Sequence, residues 1–423
     1  MKKRWALAEV RGDMRAIQLI WLTACAFSLS TCAARTRFVP PLAEPQSTPA
    51  SAKEQARHSR RVRRPVEPQV DHLVVMMIDG VRWQDIWEGP DRRFVMGNTA
   101  LPKIAESEAT LLPNLTRLAR ERGILIGGEH SRLSVSSPHT ISLPSYSELF
   151  AGRPPSCESN ECPSTNETTF LDTWLQFLPT AKLAVISSWS AIPRVAARKP
   201  GILYVSAGRS HNARFESLLG DVETNRLYAR GASATAAPGT DDYRPDVHTA
   251  ELALSVLDKA APDFLFLGLG DTDEYAHQNQ YGRYLMALNY ADSIIGRVDS
   301  WLLKQESLGR RTLFVVATDH GRANTFVNHG NTPEAARIWA LMSGSVVKTR
   351  GRPRMPDALL SDLAPTFRHH LGLMPDYSPS AGRDLTATLL TPEGAITDEG
   401  KTMVSALQST MSGPGGVTGL VSP

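Results

Sequence analysis

Short apolar runs and longer amphipathic stretches alternate through the middle of the chain. The runs predict strands at Leu73–Ile78, Ile124–Ile126, Leu183–Ile186, Ile202–Val205, Phe264–Leu267, Leu313–Thr318 and Ile338–Met342. Between them the pattern predicts helices at Leu115–Arg122, Ser145–Ala151, Ala250–Ala260, Tyr284–Lys304 and Ala358–Leu371. Strands that alternate with helices in this way imply an α/β fold, a mainly parallel sheet sandwiched by helices. This pattern fills residues 71–390 and contains no internal repeat.

Both ends depart from it. Residues 1–31 have the form of an export signal, with basic residues before an apolar run, Ala16–Leu29, too short for the ~20 residues of a spanning helix. The run ends in Leu29-Ser30-Thr31-Cys32, which resembles the bacterial lipobox, and Thr31 stands where Gly, Ala or Ser is usual. Cys32 is then the expected lipidation site, and Ala33, rather than Asp, points to the outer membrane. Met14-Arg15 offers an alternative, more compact start of the signal. Residues 32–70, rich in Pro, Ala, Ser and Arg, read as a flexible tether, with the Arg57–Arg64 cluster either solvated or near anionic headgroups. Residues 391–423, rich in Gly, Ser and Thr, are expected to be poorly ordered.

With 42% hydrophobic and 21% charged residues, the chain is globular and not disordered. Its +3 charge is misleading. Residues 1–31 hold five Lys/Arg against two acids and residues 32–70 eight against three, which leaves −5 on the remainder. No basic face for nucleic acid is expected. Of four cysteines, Cys25 would leave with the signal and Cys32 would carry lipid. Cys157 and Cys162 remain, in a turn-rich stretch, as an expected disulfide of an oxidising compartment.

Three predicted strands end in acids: Asp79, Asp271 with Asp273, and Asp319 beside His320. In a parallel sheet the carboxyl ends share one edge, where ligands bind. Any single acid there is most simply a cap, but His277 four residues after Asp273 and His329 nine after His320 make independent caps a poor account. Carboxylate and neutral imidazole suit divalent Zn or Mn, and the number of groups exceeds what one ion takes. Two metal ions fit better, although the spacing does not divide the ligands between them. Ser142 stands near the start of a helix bounded by Pro144 and Gly152, where dipole and free N–H groups favour an oxyanion. A helix-capping serine is the plain alternative.

The ordered set Ile78-Asp79-Gly80, Ser142-Leu-Pro-Ser, Asp273-x-x-x-His277, Thr318-Asp319-His320-Gly321 and His329-Gly330 resembles the alkaline phosphatase superfamily. That group includes nucleotide phosphodiesterases, cofactor-independent phosphoglycerate mutases, phosphopentomutases and sulfatases. Asp362-Leu-Ala-Pro-Thr366 extends the match, which covers roughly residues 72–386. The resemblance implies that Asp79, Asp319, His320 and Ser142 bind one ion and Asp273, His277 and His329 the other. It also implies that Ser142 is a nucleophile forming a phosphoserine in the hydrolysis of small phosphate esters.

Departures narrow the expectation. A sulfatase would have Arg where Tyr146 stands, and a mutase would need a larger insertion between Ser142 and Asp273. Diesterases of this group carry Asn where Ser145 stands. A diesterase, a phosphonate-ester hydrolase, a sulfatase-like enzyme without formylglycine and a non-catalytic metal-binding lipoprotein remain as alternatives. Ser145, Arg153 and Arg322 are candidate substrate contacts, while His139 and His369-His370 are expected outside the chemistry. Trp83, Trp87 and Trp189 either pack the core or line a leaving-group pocket. Substrate, metal identity and oligomeric state are not readable.

Overall fold

The computed structural model describes residues 67–95 and 107–387. The expected signal, Cys32, most of the tether and the tail beyond residue 387 lie outside the described residues, all of which fall in the unit that begins at Arg64. Among the described residues no helix is long and apolar enough to cross a membrane.

The centre of the fold is β1, His72–Ile78, whose seven residues are all buried. Its pleat sends Leu73, Val75 and Met77 into one core and Val74, Met76 and Ile78 into another. Each such side chain contributes roughly 1.5–3 kcal/mol on burial, so both faces must be covered. An uninterrupted apolar run was the signal of that double cover. The other strands are β2 (Gly123–Ile126), β3 (Leu133–Ser134), β4 (Leu183–Ser187), β5 (Tyr204–Ala207), β6 (Ser210–His211), β7 (Phe264–Leu269), β8 (Thr312–Ala317), β9 (Arg337–Ile338), β10 (Ala340–Ser343) and β11 (Ala358–Leu359). Eight of them form one sheet in the order β2-β10-β8-β1-β7-β4-β5-β6. Strands β8, β1, β7, β4 and β5 are parallel, and β10 and β6 run against their neighbours. The mainly parallel sheet between helices is therefore as expected.

One face of the sheet packs against α1 (Pro113–Arg122), α4 (Asp246–Ala260) and α6 (Tyr281–Ser307). The opposite face packs against α2 (Ser142–Ala151), α3 (Phe170–Phe177) and α7 (Leu363–His370). A short helix, α5 (Asp271–His277), follows β7.

Three expectations fail at element ends. The run Ile338–Met342 is two strands: β9 pairs with β3 in a small second sheet, and β10 pairs with β8 in the main one. The bend surrounds fully buried Trp339, against which Gly127 packs so closely that a Cβ there would lie 2.5 Å from the Trp339 Cα. The helix expected over Ala358–Leu371 begins only at Leu363, because Ala358 and Leu359 pair with β3 and a 3-10 turn intervenes. Residues Pro200–Ile202 form a 3-10 turn and the following strand starts at Tyr204.

Glu148, buried in α2, accepts the Ser136 and Ser361 N–H groups at 2.9–3.0 Å and so ties the helix to two loops. Burial pushes its carboxyl up to about 7. The folded group then holds its proton where the unfolded one, titrating near 4.5, has lost it. Its contribution to stability is therefore lost as pH rises from about 4.5 to about 7, by roughly 3 kcal/mol in all. Glu148→Gln is expected to flatten this slope. Thermal unfolding at pH 5 and pH 8 checks it, and an equal decline in both proteins would contradict the assignment.

Candidate active site

Because β7, β1 and β8 are adjacent and parallel, with Ile78 level with Leu269 and Met77 level with Ala317, their following residues leave the sheet at one edge. Asp79, Asp273 and the Asp319-His320 pair meet there. The loops are laced together: Thr272 Oγ1 donates to the Asp79 carbonyl at 2.5 Å, the Gly80 N–H to Asp319 Oδ1 at 3.1 Å and the Val81 N–H to Thr318 Oγ1 at 3.0 Å. Gly80 has φ +65°, and a Cβ on it would lie 2.3 Å from Asp273 Oδ1, so the position requires glycine.

Two overlapping groups present ligand atoms within 4.8 Å of one another: Asp79 with Asp319 and His320, and Asp273 with His320 and His329. His277, expected with the second group, stands beside it, its Nε2 3.0 Å from Asp273 Oδ2 and 3.2 Å from His329 Nε2. His320 Nδ1 lies 2.9 Å from the Gly321 carbonyl and His329 Nδ1 2.6 Å from the Thr140 carbonyl. A carbonyl can only accept, so both rings carry their proton on Nδ1 and offer the Nε2 lone pair to the cluster. The two rings stack at 3.9 Å.

The electrostatics is that of an unneutralised cation site. Burial, then the charges of Asp319 and Asp273, push Asp79 well above the carboxylate range. Burial and Asp273 push Asp319 up to about 7. Burial also acts on Asp273, but the Arg322 guanidinium holds it well below the usual value. Burial lowers His320 and His329 to about 4, which keeps both imidazoles neutral. Asp319 Oδ2 is buried with no hydrogen-bond partner, an orphaned acceptor directed at the cluster. Carboxylates and neutral imidazoles with an unsatisfied oxygen between them fit a divalent ion.

Ser142 opens α2. The cap position is Ile141, in extended conformation and without a side-chain cap bond, so the serine is not the helix cap. Its Oγ instead lies 3.1 Å from His320 Nε2 and donates to Asp79 Oδ1 at 3.4 Å. Tyr146, one turn on and on the same helix face, donates to Asp79 Oδ2 at 3.0 Å. It occupies the place where a sulfatase would carry Arg.

The three candidate substrate contacts have other partners. The Ser145 hydroxyl is buried and donates to the Ile141 carbonyl at 3.1 Å. Arg153, at the far end of α2, pairs with Asp376 and, at 3.5 Å, with Glu167. Arg322 is buried behind Asp273, and its remaining donors go to the Phe326 and Val327 carbonyls. His139 lies 3.8 Å from Glu158, and His369 pairs with Asp384.

A cleft of 180 Å³ opens over Ser142, lined by Asp79, Asp273 and His277 and walled by Asn160, Trp189, Tyr243, Gly270 and Glu274. Larger cavities lie elsewhere, one of 470 Å³ beside Arg153 and one of 390 Å³ lined by Trp83, Trp87 and Arg352; neither is lined by a member of the two candidate metal-ligand groups. Trp189 alone of the three tryptophans thus reaches the site. Asn160, absent from the sequence-based candidates, lies between Cys157 and Cys162, which the structure pairs with Cα atoms 5.7 Å apart. Its Oδ1 accepts the Leu143 N–H at 3.0 Å, so this loop fastens the first turn of α2. Its position 18 residues after Ser142 matches none of the motifs, and only the turn-rich composition hinted at a defined loop.

The Metalloenzyme superfamily family model matches residues 232–374, the segment that carries Asp273, His277, Asp319, His320 and His329. A 2,3-bisphosphoglycerate-independent phosphoglycerate mutase of Clostridium kluyveri is 25% identical over 159 residues, 36% of this chain. The matched part spans only 30% of that mutase's own length. A variant of the alkaline phosphatase PafA, 11% identical, superposes with a TM-score of 0.50 over 76% of this chain and 99% of its own. A 2-O GAG sulfatase, 14% identical, gives a TM-score of 0.45 over 77% of this chain and 75% of its own. The sheet order and the superposition on the PafA variant show an alkaline phosphatase-like fold, residues 232–374 match the Metalloenzyme superfamily model, and the acids and histidines at one sheet edge form a candidate metal site.

Proposed function

We propose that the protein hydrolyses small phosphate esters through a phosphoserine at Ser142 and a site for two divalent ions, zinc foremost and manganese as the alternative. The observation that carries this reading is the position of Ser142 Oγ within the cluster, against His320 Nε2 and Asp79 Oδ1, rather than across its own helix end. Asp79, Asp319 and His320 would hold one ion with Ser142, and Asp273, His277 and His329 the other. Bound there, divalent ions supply Lewis-acid polarisation of phosphoryl oxygens and favour an ionised serine.

The chain's own groups do the rest. Ser142 Oγ gives up its proton to solvent water and bonds to phosphorus as the ester P–O bond opposite it breaks, and the departing alkoxide takes one proton back from solvent to leave as the alcohol. Water then attacks the phosphoserine, releasing phosphate and returning a proton to Oγ. Tyr146 and the Gly80 N–H fix Asp79 and Asp319 for this. With its Oδ1 held by Leu143, Asn160 has its Nδ2 donors to offer a substrate oxygen.

A diester or a phosphonate monoester is the second reading. No Lys or Arg appears among the described residues lining the cleft, so no side-chain cation complements the second charge of a monoester dianion. The test is turnover, by metal-loaded protein, of 4-nitrophenyl phosphate, bis(4-nitrophenyl) phosphate, 4-nitrophenyl phenylphosphonate and 4-nitrophenyl sulfate. Phosphorus esters are expected to be cleaved well above the sulfate. A faster sulfate would make the protein a sulfatase, and no turnover of any ester would favour a metal-binding role. We further propose anchoring by lipid at Cys32; binding of nucleic acid forms no part of the reading.

A further inference from the structure

We infer that the two ions are held unequally: the group beside Ser142 binds one tightly, while Arg322 keeps the other loose, so that it comes and goes with the supply of free divalent metal. This deepens the two-ion reading and rests on it. The charges differ first. Ligands must be deprotonated to receive an ion, so Asp79 and Asp319 bring two negative charges to the first site and Asp273 brings one to the second. The guanidinium of Arg322, bonded to Asp273 Oδ1, cancels that one and repels an arriving cation. Arg322 does not line the cleft, so it acts through Asp273 as a positioning residue.

An ion entering the second site would not drive Arg322 away. Its side chain is fully buried, with Nε donating to the Phe326 carbonyl and Nη2 to the Val327 carbonyl at 2.6 Å. Those carbonyls come from a loop in which Phe326 takes φ +70°, uncommon for a residue with a Cβ, and its ring packs edge to face with Tyr281 and Tyr284. The same loop runs on to His329, a ligand of the second site. The guanidinium is thus built into the frame that delivers a ligand.

Hydrogen bonding sharpens the contrast between the sites. A guanidinium can only donate, so Arg322 Nη2, 3.5 Å from His277 Nδ1, leaves the imidazole proton on Nε2. That proton faces two acceptors, Asp273 Oδ2 at 3.0 Å and His329 Nε2 at 3.2 Å. The second group is satisfied internally, and an ion must displace this proton before His277 Nε2 can bind it. In the first group Asp319 Oδ2 is a buried acceptor without a partner.

The experiment is zinc titration of the metal-stripped full chain at pH 8, read by calorimetry and by competition with a chromogenic chelator. Wild type should take one equivalent roughly 100-fold more tightly than the second, the upper end of what a residue behind a ligand imposes. Asp319→Asn should abolish the tight equivalent and His277→Ala the weak one. Arg322→Met should tighten the second ion by about tenfold or more and leave the first within about threefold, a gain that a damaged fold would not produce. Arg322→Lys, which keeps the charge, should leave the second ion weak. Should Arg322→Met fail to fold, the wild-type ratio and the two ligand variants decide. Two equally tight equivalents in wild type, a tight ion lost with His277 and not with Asp319, or an unchanged second ion in folded Arg322→Met would each overturn the inference. Unequal binding without turnover of any ester would uphold it and remove the hydrolase reading, whereas turnover with two equally tight ions would do the reverse. No second equivalent in any of these proteins would end the two-ion reading itself.

Discussion

Ser142→Ala is expected to lower phosphate-ester turnover by about three orders of magnitude or more while leaving the metal content intact. Six Asp and His ligands remain in the variant, so the cluster should still bind its ions. The fold should also tolerate the change, because the cap position of α2 is Ile141 and the serine hydroxyl makes no cap bond. An unchanged melting temperature with lost turnover is thus the signature of a nucleophile, and residual activity would reflect positioning and activated water. The decisive measurement is turnover beside metal analysis and thermal unfolding of the same preparation. Near-normal turnover at full metal occupancy would reduce Ser142 to a packing residue and end the covalent mechanism.

The second large effect has opposite signs with and without metal. In the metal-free protein Asp319 holds its proton up to about pH 7, whereas unfolded it ionises near 3.8. Metal-free stability should therefore decline as pH rises from about 4 to about 7, and at pH 8 the full cost, on the order of 2–4 kcal/mol, is present. Asp319→Asn keeps an oxygen for the Gly80 N–H and removes the charge that Asp79 and Asp273 repel. The metal-free variant should accordingly melt higher than metal-free wild type at pH 8. Metal should reverse the order, raising the wild type strongly and the variant little, because a ligand of the first group has gone. His320 and His329 are neutral above about pH 5 and do not compete in this window, so metal affinity of the wild type should rise with pH toward 7 as Asp319 loses its proton. Unfolding curves with and without Zn²⁺ at pH 6 and pH 8 provide the check. A metal-free variant less stable than the wild type would show that Asp319 supports the fold instead of serving a cation.

Why so much of the site was legible in the sequence follows from the sheet. A strand buried on both faces must be apolar throughout, and it stops being apolar where it leaves the sheet. Asp79, Asp273 and Asp319 mark those exits, and the parallel register brings them together without help from other elements. Residues that act across the fold left no such mark. Tyr146 holds Asp79 from a helix that meets β1 only in the folded chain, and Asn160 reaches Leu143 from a loop with no periodicity. Arg322 looked like a substrate clamp because it follows His320, but a side chain that close to a strand end was drawn inward to the Asp273 carboxylate. The β9–β10 division was hidden for a related reason. Ile338–Met342 is apolar throughout, as one buried strand would be, and the change of sheet accompanies the approach of Gly127 to Trp339, more than two hundred residues away in sequence.

The bond between Cys157 and Cys162 closes a loop of only a few residues and adds little to global stability. Its consequence is local. Asn160 lies within that loop and fastens the turn from which Ser142 projects, so the cross-link limits how far the nucleophile's support can drift. Thiol oxidation thereby bears on the support of the site more than on the sheet, whose strands contain neither cysteine. The chain made where thiols stay reduced would keep its strands and its acids in register, yet hold its serine by a slack loop. The same polypeptide would then differ in competence between compartments, with the difference written in one covalent bond packed against the core.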